Sequence, residues 1–242
     1  MGEITPFESR TAQILGPDGM DKLKKAHIIL FGVGGVGGYV AEALARAGIG
    51  KLTLVDGDDI AESNLNRQIL ATRATIGQRK AEAAAQRIHS INPDCEVVVK
   101  DMFYLPENAA ELPFEGADYV VDAVDTVAAK LEIIAQAKKA GVPVICSMGT
   151  GNKLHPELLQ LSTIEKTEGC PLAKVMRLEC RRRGYKKIPV VYSPEPPVKP
   201  KMQGETGKGG SRTVPGSTSF VPGTAGLIIA GAVVRAISGI EE

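Results

Sequence analysis

The sequence predicts an α/β fold in which a Rossmann-like, mostly parallel sheet carries helices on both faces. Short apolar runs alternate with helical patterns through about the first 150 residues, and this order is typical of parallel strands joined by crossover helices. A glycine-rich turn, Gly32-Val-Gly-Gly-Val-Gly37, follows the first apolar run and opens the first helical pattern. After Gly149 the pattern becomes less regular, and we expect a C-terminal extension of strands and helices there.

The first part of the sheet is predicted by apolar runs that are too short for helices and that end at polar or glycine residues. His27 begins the first run, and Gly48 and Gly50 close the alanine-rich helical pattern that follows the glycine turn. The next run ends at Asp56 and Asp58. In chain order the predicted strands are 27–32, 52–55, 97–99, 119–121 and 142–146, and the predicted helices are 37–47, 78–89 and 126–140.

The extension is predicted to contain two strands and two helices. Pro171 suits the first turn of its first helix. A stretch rich in proline, glycine and lysine, about 193–216, predicts a mobile loop. Because no repeat and no earlier linker is present, we expect residues 1–242 to form one domain. The predicted elements are a strand over 158–162, a basic helix over 171–183, a strand over 188–192 and an apolar helix over about 224–238.

The composition excludes several classes of protein. With 43% hydrophobic and 24% charged residues, the chain suits a soluble domain with a large core and not a disordered or disulfide-rich chain. Its four cysteines form no C-x-x-C pair, which disfavours a zinc knuckle or a redox dithiol. The first ten residues contain no apolar run, and proline and glycine break the longest uncharged stretch. We therefore expect a cytoplasmic protein without stable membrane insertion.

Charge is distributed unevenly along the chain. The formal net charge is +1, but residues 174–212 contain eleven basic and three acidic residues. Three of the basic residues recur at spacings of three and four, which places them on one helix face. Such a surface can follow a phosphate backbone, although a solvated helix face is the simpler alternative. The cations of this basic patch are Lys174, Arg177, Arg181, Arg182, Arg183, Lys186 and Lys187.

The glycine-rich turn predicts a nucleotide site. Gly32, Gly34, Gly35 and Gly37 lie between a strand and a helix, where small residues permit close backbone approach and the helix N–H groups face a phosphate. Asp56 ends the next strand, where its carboxylate can accept hydrogen bonds from ribose hydroxyls. This pattern alone does not separate a dinucleotide cofactor from ATP.

Two cations follow the second predicted strand, where a hydride-transfer enzyme needs none. Arg67 lies in the run Asn64-Leu-Asn-Arg-Gln68, and Lys80 ends the run Gly77-Gln-Arg-Lys. They suit a triphosphate, since arginine offers a planar fork of donors and lysine a compact point charge. Asp125 follows a later strand at the same edge of the sheet, where a carboxylate and phosphate oxygens can share Mg²⁺. The alternatives are a helix cap at Asp125 and solvated surface charges at Arg67 and Lys80.

These stretches resemble the ThiF, MoeB and HesA superfamily, relatives of the ubiquitin-activating enzymes, which adenylate carboxylates with ATP. The resemblance covers nearly the whole chain and is strongest to the tRNA threonylcarbamoyladenosine dehydratase family. Cys170 departs from that family's pattern, in which an acidic residue is usual at this place. The resemblance depends on Phe7-Glu-Ser-Arg10 with Leu15-Gly16, on the block from the glycine-rich turn to Gln68, and on Pro171-Leu-Ala-Lys174 with the arginines and Val191-Tyr-Ser-Pro-Glu195 that follow.

The resemblance implies a role for each matching residue. Asp56 would hold the ribose, and Asp125 would hold Mg²⁺. Arg10 matches an N-terminal arginine that reaches the ATP of the neighbouring protomer, which implies a homodimer. The predicted nucleotide-binding residues are Gly32, Gly34, Gly35, Gly37, Asp56, Asp58, Asn66, Arg67, Gln68 and Lys80, and the predicted catalytic residues are Arg10, Arg67, Lys80 and Asp125.

The function that the resemblance implies is ATP-dependent dehydration, by ring closure, of threonylcarbamoyladenosine beside the tRNA anticodon, through an adenylated carboxylate. The basic patch would bind that tRNA. The main alternative is an adenylyltransferase that activates the C-terminus of a ubiquitin-like sulfur-carrier protein. An ATP-sensing scaffold and a nicotinamide dehydrogenase are weaker alternatives. A sulfur-transfer protein partner and a role of Cys170 or Cys180 as acyl acceptor stay open.

Overall fold

Seven strands form one sheet in the part of the chain that the structure describes. The computed structural model describes residues 4–202 and 214–240. The strand order is β3-β2-β1-β4-β5-β7-β6; all neighbours pair in parallel except β6, which runs antiparallel to β7 at one edge. The expected mostly parallel α/β sheet is therefore confirmed. The strands are β1 His27–Phe31, β2 Lys51–Val55, β3 Glu96–Lys100, β4 Tyr119–Asp122, β5 Val144–Ser147, β6 Gln160–Thr163 and β7 Pro189–Tyr192.

Six α-helices cover the two faces of the sheet in the described ranges. All the predicted elements are present, with bounds within two residues, except that α6 begins four residues earlier than expected. The sequence pattern does not predict α1, because Gly16 and Pro17 interrupt it; the helix kinks there, with Gly16 at φ 71°. The helices are α1 Ser9–Lys25, α2 Gly37–Ala47, α3 Lys80–His89, α4 Val127–Ala140, α5 Pro171–Arg182 and α6 Phe220–Ser238.

Two apolar layers hold the helices against the sheet. One layer packs α1, α2, α3 and α6 against residues such as Leu30 and Leu54 on one face. The other packs α4 and α5 on the opposite face and contains a tilted aromatic group of Phe31, Tyr104 and Phe114. Both layers reach the carboxyl ends of β1 and β4, so the loops that leave these strands start from a rigid base.

Helix α6 is a core helix, although it is long and apolar. It is the one helix among the described residues with the length and hydropathy of a membrane span. Its face with Val221, Ala225, Ile229 and Val233 is fully buried against the first apolar layer. Gly226 lets it approach α2 closely, since a methyl group there would lie 2.5 Å from the carbonyl oxygen of Val36.

The predicted loop 193–216 contains no helix or strand in its described residues, 193–202 and 214–216. Its beginning is packed: Ser193 and Glu195 are buried, and the Glu195 carboxylate accepts hydrogen bonds from the backbone N–H groups of Leu154 and His155. Asn152 holds both ends, because its backbone oxygen accepts from Val198 N and its side-chain oxygen accepts from Gly216 N. Residues 203–213 lie outside the described residues, and the mobility of the loop stays a prediction.

Candidate nucleotide-binding site

The glycine-rich turn joins β1 to α2 at the carboxyl edge of the sheet. Gly32 has a left-handed backbone (φ 81°), and a methyl group there would lie 2.9 Å from the carbonyl oxygen of Ala123. A methyl group at Gly37 would overlap the carbonyl oxygen of Gly32. Gly34 differs, because the nearest atom to a methyl group would be Gln68 Nε2 at 3.6 Å. The outer glycines therefore serve close packing, and the middle of the turn has room for a ligand.

Asp56 holds this turn from the end of β2. Its Oδ2 accepts a hydrogen bond from Val33 N at 2.8 Å, and its Oδ1 accepts one from Asp58 N at 2.9 Å. An ionised carboxylate has about four acceptor positions, so each oxygen keeps capacity for a ligand hydroxyl. Asp56 thus fixes the backbone of the turn, which the sequence pattern did not indicate, and its predicted contact with a ribose stays a prediction.

The predicted phosphate cations lie beside the turn in two different environments. Lys80 begins α3, is buried, and its Nζ lies 3.0 Å from Asp58 Oδ2. Arg67 is half-buried and donates from Nη1 to the carbonyl oxygen of Ser63 at 2.8 Å. A methyl group at Gly35 would lie 3.5 Å from Arg67 Cγ, so this side chain packs directly against the turn.

The neighbouring amides connect the turn to the C-terminal part of the chain. Asn66 Nδ2 donates to the carbonyl oxygen of Ser217 at 3.0 Å, and Asn66 Oδ1 accepts from Arg67. Gln68 is buried, and its Oε1 has no hydrogen-bond partner among the described residues. A buried oxygen without a partner costs about 1–3 kcal/mol, so its place next to Gly34 suits a ligand that donates a hydrogen bond there.

Asp125 and Arg10 are the two predicted catalytic residues that the structure does not join to this cluster. Asp125 is exposed in the loop after β4, and its Oδ1 accepts a long hydrogen bond from Thr126 Oγ1 at 3.5 Å. That loop reaches the glycine turn, because Ala123 N donates to the carbonyl oxygen of Phe31 and Ala123 packs against Gly32. Arg10 is exposed on α1 and forms no ion pair or hydrogen bond with a described residue.

The basic patch divides into two groups in the structure. Lys174, Arg177 and Arg181 line one cleft, which confirms that they share a helix face. Arg182 and Arg183 instead form ion pairs with the carboxylate of Glu179, at 2.6 Å for Arg182. The patch therefore presents less free positive charge than the count of its residues indicates.

Comparison with known proteins agrees with this geometry. The model of the ThiF family matches residues 8–242. The chain belongs to the ThiF family. A tRNA threonylcarbamoyladenosine dehydratase of Bacillus subtilis is 41% identical to it over 234 residues, which are 93% of this chain and 92% of that protein. These near full-length matches place the ThiF-family chain on the dehydratase branch, which confirms the resemblance found in the sequence.

A solved structure and a second relative separate the branches of the family. The crystal structure of the Escherichia coli tRNA threonylcarbamoyladenosine dehydratase in complex with ATP superposes with a TM-score of 0.87 at 33% identity and covers 98% of both chains. A probable adenylyltransferase/sulfurtransferase of Mycobacterium tuberculosis is 37% identical over 131 residues, which are 54% of this chain and 33% of that protein. The adenylyltransferase likeness is thus confined to part of the ThiF-family chain.

A buried ion pair beneath the Asp125 loop escaped the sequence interpretation. Lys130 and Asp122 are both fully buried, and Lys130 Nζ donates to Asp122 Oδ1 at 3.0 Å, to Asp122 Oδ2 at 2.9 Å and to the carbonyl oxygen of Val124 at 2.9 Å. Val124 N in turn donates to Asp122 Oδ1 at 3.2 Å. The pair therefore fixes the backbone immediately before Asp125. The available signal was a lysine between Ala129 and Leu131 on an otherwise apolar helix face, eight residues after an aspartate that ends a strand.

Arg79 is a second residue that the sequence interpretation passed over. Its guanidinium donates to Asp59 Oδ1 and to the carbonyl oxygen of Gly57, each at 2.9 Å, and also to the carboxylate of Asp101. The two carboxylates raise the pKa of Arg79. Because Arg79 immediately precedes Lys80, these contacts fix the start of α3 and the position of the buried lysine.

All four cysteines are buried and free. Burial raises the pKa of the Cys180 thiol to about 11, which leaves little nucleophilic thiolate near neutral pH. Cys170 packs at the start of α5, with Sγ 3.9 Å from the carbonyl oxygen of Gly149. The structure therefore disfavours an acyl-acceptor role for Cys180 in this conformation.

Two glycine variants are expected to separate packing from ligand approach. Gly37→Ala should lower the free energy of unfolding by more than about 2 kcal/mol, because the methyl group overlaps backbone that cannot yield cheaply. Gly34→Ala should change it by less than about 1 kcal/mol but weaken ATP binding about tenfold or more, since the methyl group stands where a phosphate would approach. Urea denaturation measures the free energy of unfolding of each variant, and ATP titration measures its affinity for ATP. Wild-type ATP affinity in Gly34→Ala would show that the open part of the turn is not the phosphate site.

Removal of one partner of the buried ion pair should be strongly destabilising. Lys130→Met leaves the Asp122 carboxylate buried without its cation, and we expect a loss of about 3–5 kcal/mol in the free energy of unfolding. Adding Asp122→Asn should recover a large part of that loss, because it removes the buried charge. Lys139→Met, at an exposed position on the same helix, is the control and should change stability by less than about 0.5 kcal/mol. Equal effects of Lys130→Met and Lys139→Met in urea denaturation would contradict this account.

Proposed function

We propose that the chain catalyses the ATP-dependent dehydration of threonylcarbamoyladenosine in tRNA, and that the product is a cyclic form of this nucleoside. The observation that carries the proposal is the near full-length likeness to dehydratases, which covers 93% of this chain and 92% of the Bacillus subtilis protein. The site supports it, because an open glycine turn, a half-buried arginine and a buried lysine lie together at one sheet edge.

The reaction needs activation of a carboxylate, because oxide is a poor leaving group. The threonyl carboxylate attacks the α-phosphate of ATP, and pyrophosphate leaves. The carbamoyl group of the same nucleoside then attacks the acyl carbon, AMP leaves with the former carboxylate oxygen, and one proton is released. The net change in the nucleoside is the loss of one water molecule, with ATP converted to AMP and pyrophosphate. No protein nucleophile is required.

The side chains beside the turn suit the charge that develops on the phosphates. Lys80 is already desolvated and held by Asp58, so its ammonium needs little reorganisation to face a phosphate. Arg67 donates through Nη1 to the Ser63 carbonyl oxygen and to Asn66 Oδ1, and its other N–H donors have no partner among the described residues, so they are available to a ligand. We propose that the Asp56 carboxylate accepts hydrogen bonds from the ribose hydroxyls and that Gln68 Oε1 accepts a hydrogen bond from a donor group of the nucleotide.

Asp125 is the residue proposed to hold Mg²⁺. Among the described residues no group of three or more His, Cys, Asp or Glu side chains could hold a metal without other ligands. An exposed single carboxylate fits Mg²⁺, which commonly binds one or two carboxylates together with substrate phosphates and water. When bound, the ion would stabilise negative charge on the phosphate oxygens.

The carrier-protein adenylyltransferase and the nicotinamide dehydrogenase are disfavoured by different observations. Likeness to the adenylyltransferase/sulfurtransferase covers only 54% of this chain. A nicotinamide enzyme has no use for Arg67 and the buried Lys80 beside the turn.

We further propose that the chain forms a homodimer in the cytoplasm. In this dimer Arg10 reaches the nucleotide site of the partner, and the basic patch binds tRNA. A sulfur-transfer partner stays a prediction.

Loss of Lys80 or Asp125 should remove activity and preserve the fold. Lys80→Ala and Asp125→Ala are each expected to lower kcat by about 10²- to 10³-fold, the effect of deleting one preorganised charge contact. Each protein is incubated with ATP, Mg²⁺ and tRNA that carries threonylcarbamoyladenosine, and the mass of the modified nucleoside is then measured by mass spectrometry. With the wild-type protein this mass should fall by about 18 Da, the mass of water. Exposed Lys139→Ala is the control. Wild-type turnover in either folded variant would exclude that residue from the mechanism.

Mixed dimers should reveal whether Arg10 acts across the interface. A mixture of Arg10→Ala and Lys80→Ala chains should recover about a quarter to a half of wild-type activity, because each mixed dimer contains one complete site. A mixture of Lys80→Ala and Asp125→Ala chains is the matched control and should recover none, since both residues belong to the same protomer's site. No recovery in the first mixture, with subunit exchange demonstrated, would place Arg10 outside the partner's site.

A further inference from the structure

A cleft of about 570 Å³ lies between α5 and the segment that leads to β7, outside the candidate nucleotide site. Its apolar lining includes Ile164, Leu178, Cys180 and Tyr185. Ile164 and Cys180 are fully buried and form a floor, whereas Leu178 is 41% exposed, which is high for a large apolar side chain in a groove. Tyr185 is half-buried, and Lys138 Nζ lies 5.9 Å from its ring centroid.

Cations surround this apolar floor. Lys174, Arg181 and Lys186 line the cleft, are exposed, and form no ion pair with any residue that the structure describes. Arg177 is held in place, since its Nη1 donates to Thr167 Oγ1 at 2.8 Å and to the Thr167 carbonyl oxygen. The carboxylate in the lining, Glu165, already accepts a hydrogen bond from the backbone of Lys187 at 2.5 Å.

The cleft combines an apolar, aromatic floor with cations at its rim that have no ion pair among the described residues. This combination suits a ligand in which a planar group is attached to an anionic chain. Bases of single-stranded RNA stack on aromatic side chains, and the phosphates between them bind lysine and arginine. We propose that this cleft receives an unpaired nucleotide of the RNA substrate, with its base against Tyr185 and Leu178 and its phosphates on Lys174, Arg181 and Lys186. The proposal rests on the proposed function, because the reaction takes place in a tRNA loop.

The cleft is separate from the candidate nucleotide site, because none of its lining residues belongs to the glycine turn, to the 56–80 segment or to the Asp125 loop. Helix α5 starts next to Gly149, at the carboxyl end of β5, which neighbours the strand before Asp125. The cleft residues on this helix run from Lys174 to Arg181, seven residue steps that span about 10 Å at 1.5 Å per residue. Stacked nucleotides advance by about 3.4 Å each, so this length corresponds to roughly three nucleotides. One tRNA loop can thus present its modified adenosine at the nucleotide site and another base to the cleft.

Fluorescence of a base analogue tests this directly. The probe is a hairpin RNA of the anticodon-arm type in which 2-aminopurine replaces one loop nucleotide at a time. We expect wild-type protein to quench the fluorescence at one loop position other than the reacting adenosine, because the base stacks on Tyr185. Tyr185→Ala should abolish this quenching and raise Kd about 5- to 150-fold. Tyr185→Phe retains the ring and should restore the quenching.

Salt dependence separates stacking from phosphate binding. Arg181→Gln should reduce the slope of log affinity against log salt by about 0.7, the value for one lost phosphate contact. Arg46→Gln on α2 is the matched control: its exposed guanidinium is paired with Glu42 and lies outside the cleft and the basic patch, so the slope should change by less than about half of that. Tyr185→Ala should leave the slope unchanged. Leu178→Glu, at an exposed position that tolerates substitution, places a carboxylate in the cleft and should weaken RNA binding at least about tenfold.

The outcomes distinguish this cleft from the reaction. If wild-type protein dehydrates the tRNA nucleoside but Tyr185→Ala and Leu178→Glu keep both quenching and affinity, the RNA does not enter the cleft, and the proposal for the cleft is wrong. If ATP-dependent loss of water from the tRNA nucleoside is absent in the wild type, the proposed function itself is wrong. Unchanged ATP affinity and thermal unfolding in each variant confirm that the fold is preserved.

Discussion

The absence of a side chain at Gly37 is the constraint on which the candidate site depends. Because α2 begins directly against the carbonyl oxygen of Gly32, the turn between them folds back on itself and brings the helix N-terminus to the end of β1. The same closeness at Gly32 lets the loop after β4 pack on the turn. Residues that are far apart in the chain, such as Asp56 and Asp125, then extend from neighbouring parts of one sheet edge, where open α/β sheets bind their ligands.

Two ion pairs at the carboxyl ends of the strands differ in how deeply they are buried. Below the surface, the Asp122–Lys130 pair is fully buried and uses each of its donors within the protein, so it stabilises the backbone and is unable to meet a ligand. The second pair is formed by Lys80 and Asp58, of which only the lysine is buried. Lys80 can therefore exchange its contact with the Asp58 carboxylate for one with a phosphate, because the partly exposed carboxylate of Asp58 is then solvated by water. Burial thus separates a structural ion pair from one that suits binding.

The C-terminal extension is where this chain departs from a general nucleotide-binding fold. Helix α5 contains apolar residues for the second layer, such as Met176, and cations for the surface on a single helix of twelve residues. Glu179 forms ion pairs with Arg182 and with Arg183 just after the helix, and Arg177 donates to Thr167. The cations of α5 without an ion pair among the described residues therefore lie at the cleft. Helix α6 and Ser217 close over the glycine turn, with Pro222 against Gly35 and the Ser217 carbonyl on Asn66. The extension therefore both covers the nucleotide site and shapes a separate surface.

The sequence by itself determined the sheet, five of the six described helices and the glycine turn, because local periodicity and the positions of the glycines predict them. It also determined that Asp56, Arg67 and Lys80 lie beside the turn, because parallel strands end at one edge of the sheet. Helix α1 was not predicted because Gly16 and Pro17 interrupt its sequence pattern, and its packing on α6 and in the first apolar layer stabilises it in the folded chain. Tertiary structure alone decided four features of the site and the basic patch. They are the Asp122–Lys130 pair, the contacts of Arg79, the unpartnered oxygen of Gln68 and the ion pairs of Arg182 and Arg183 with Glu179. Each depends on which side chains become buried together, and burial across distant segments leaves no periodic trace in one sequence.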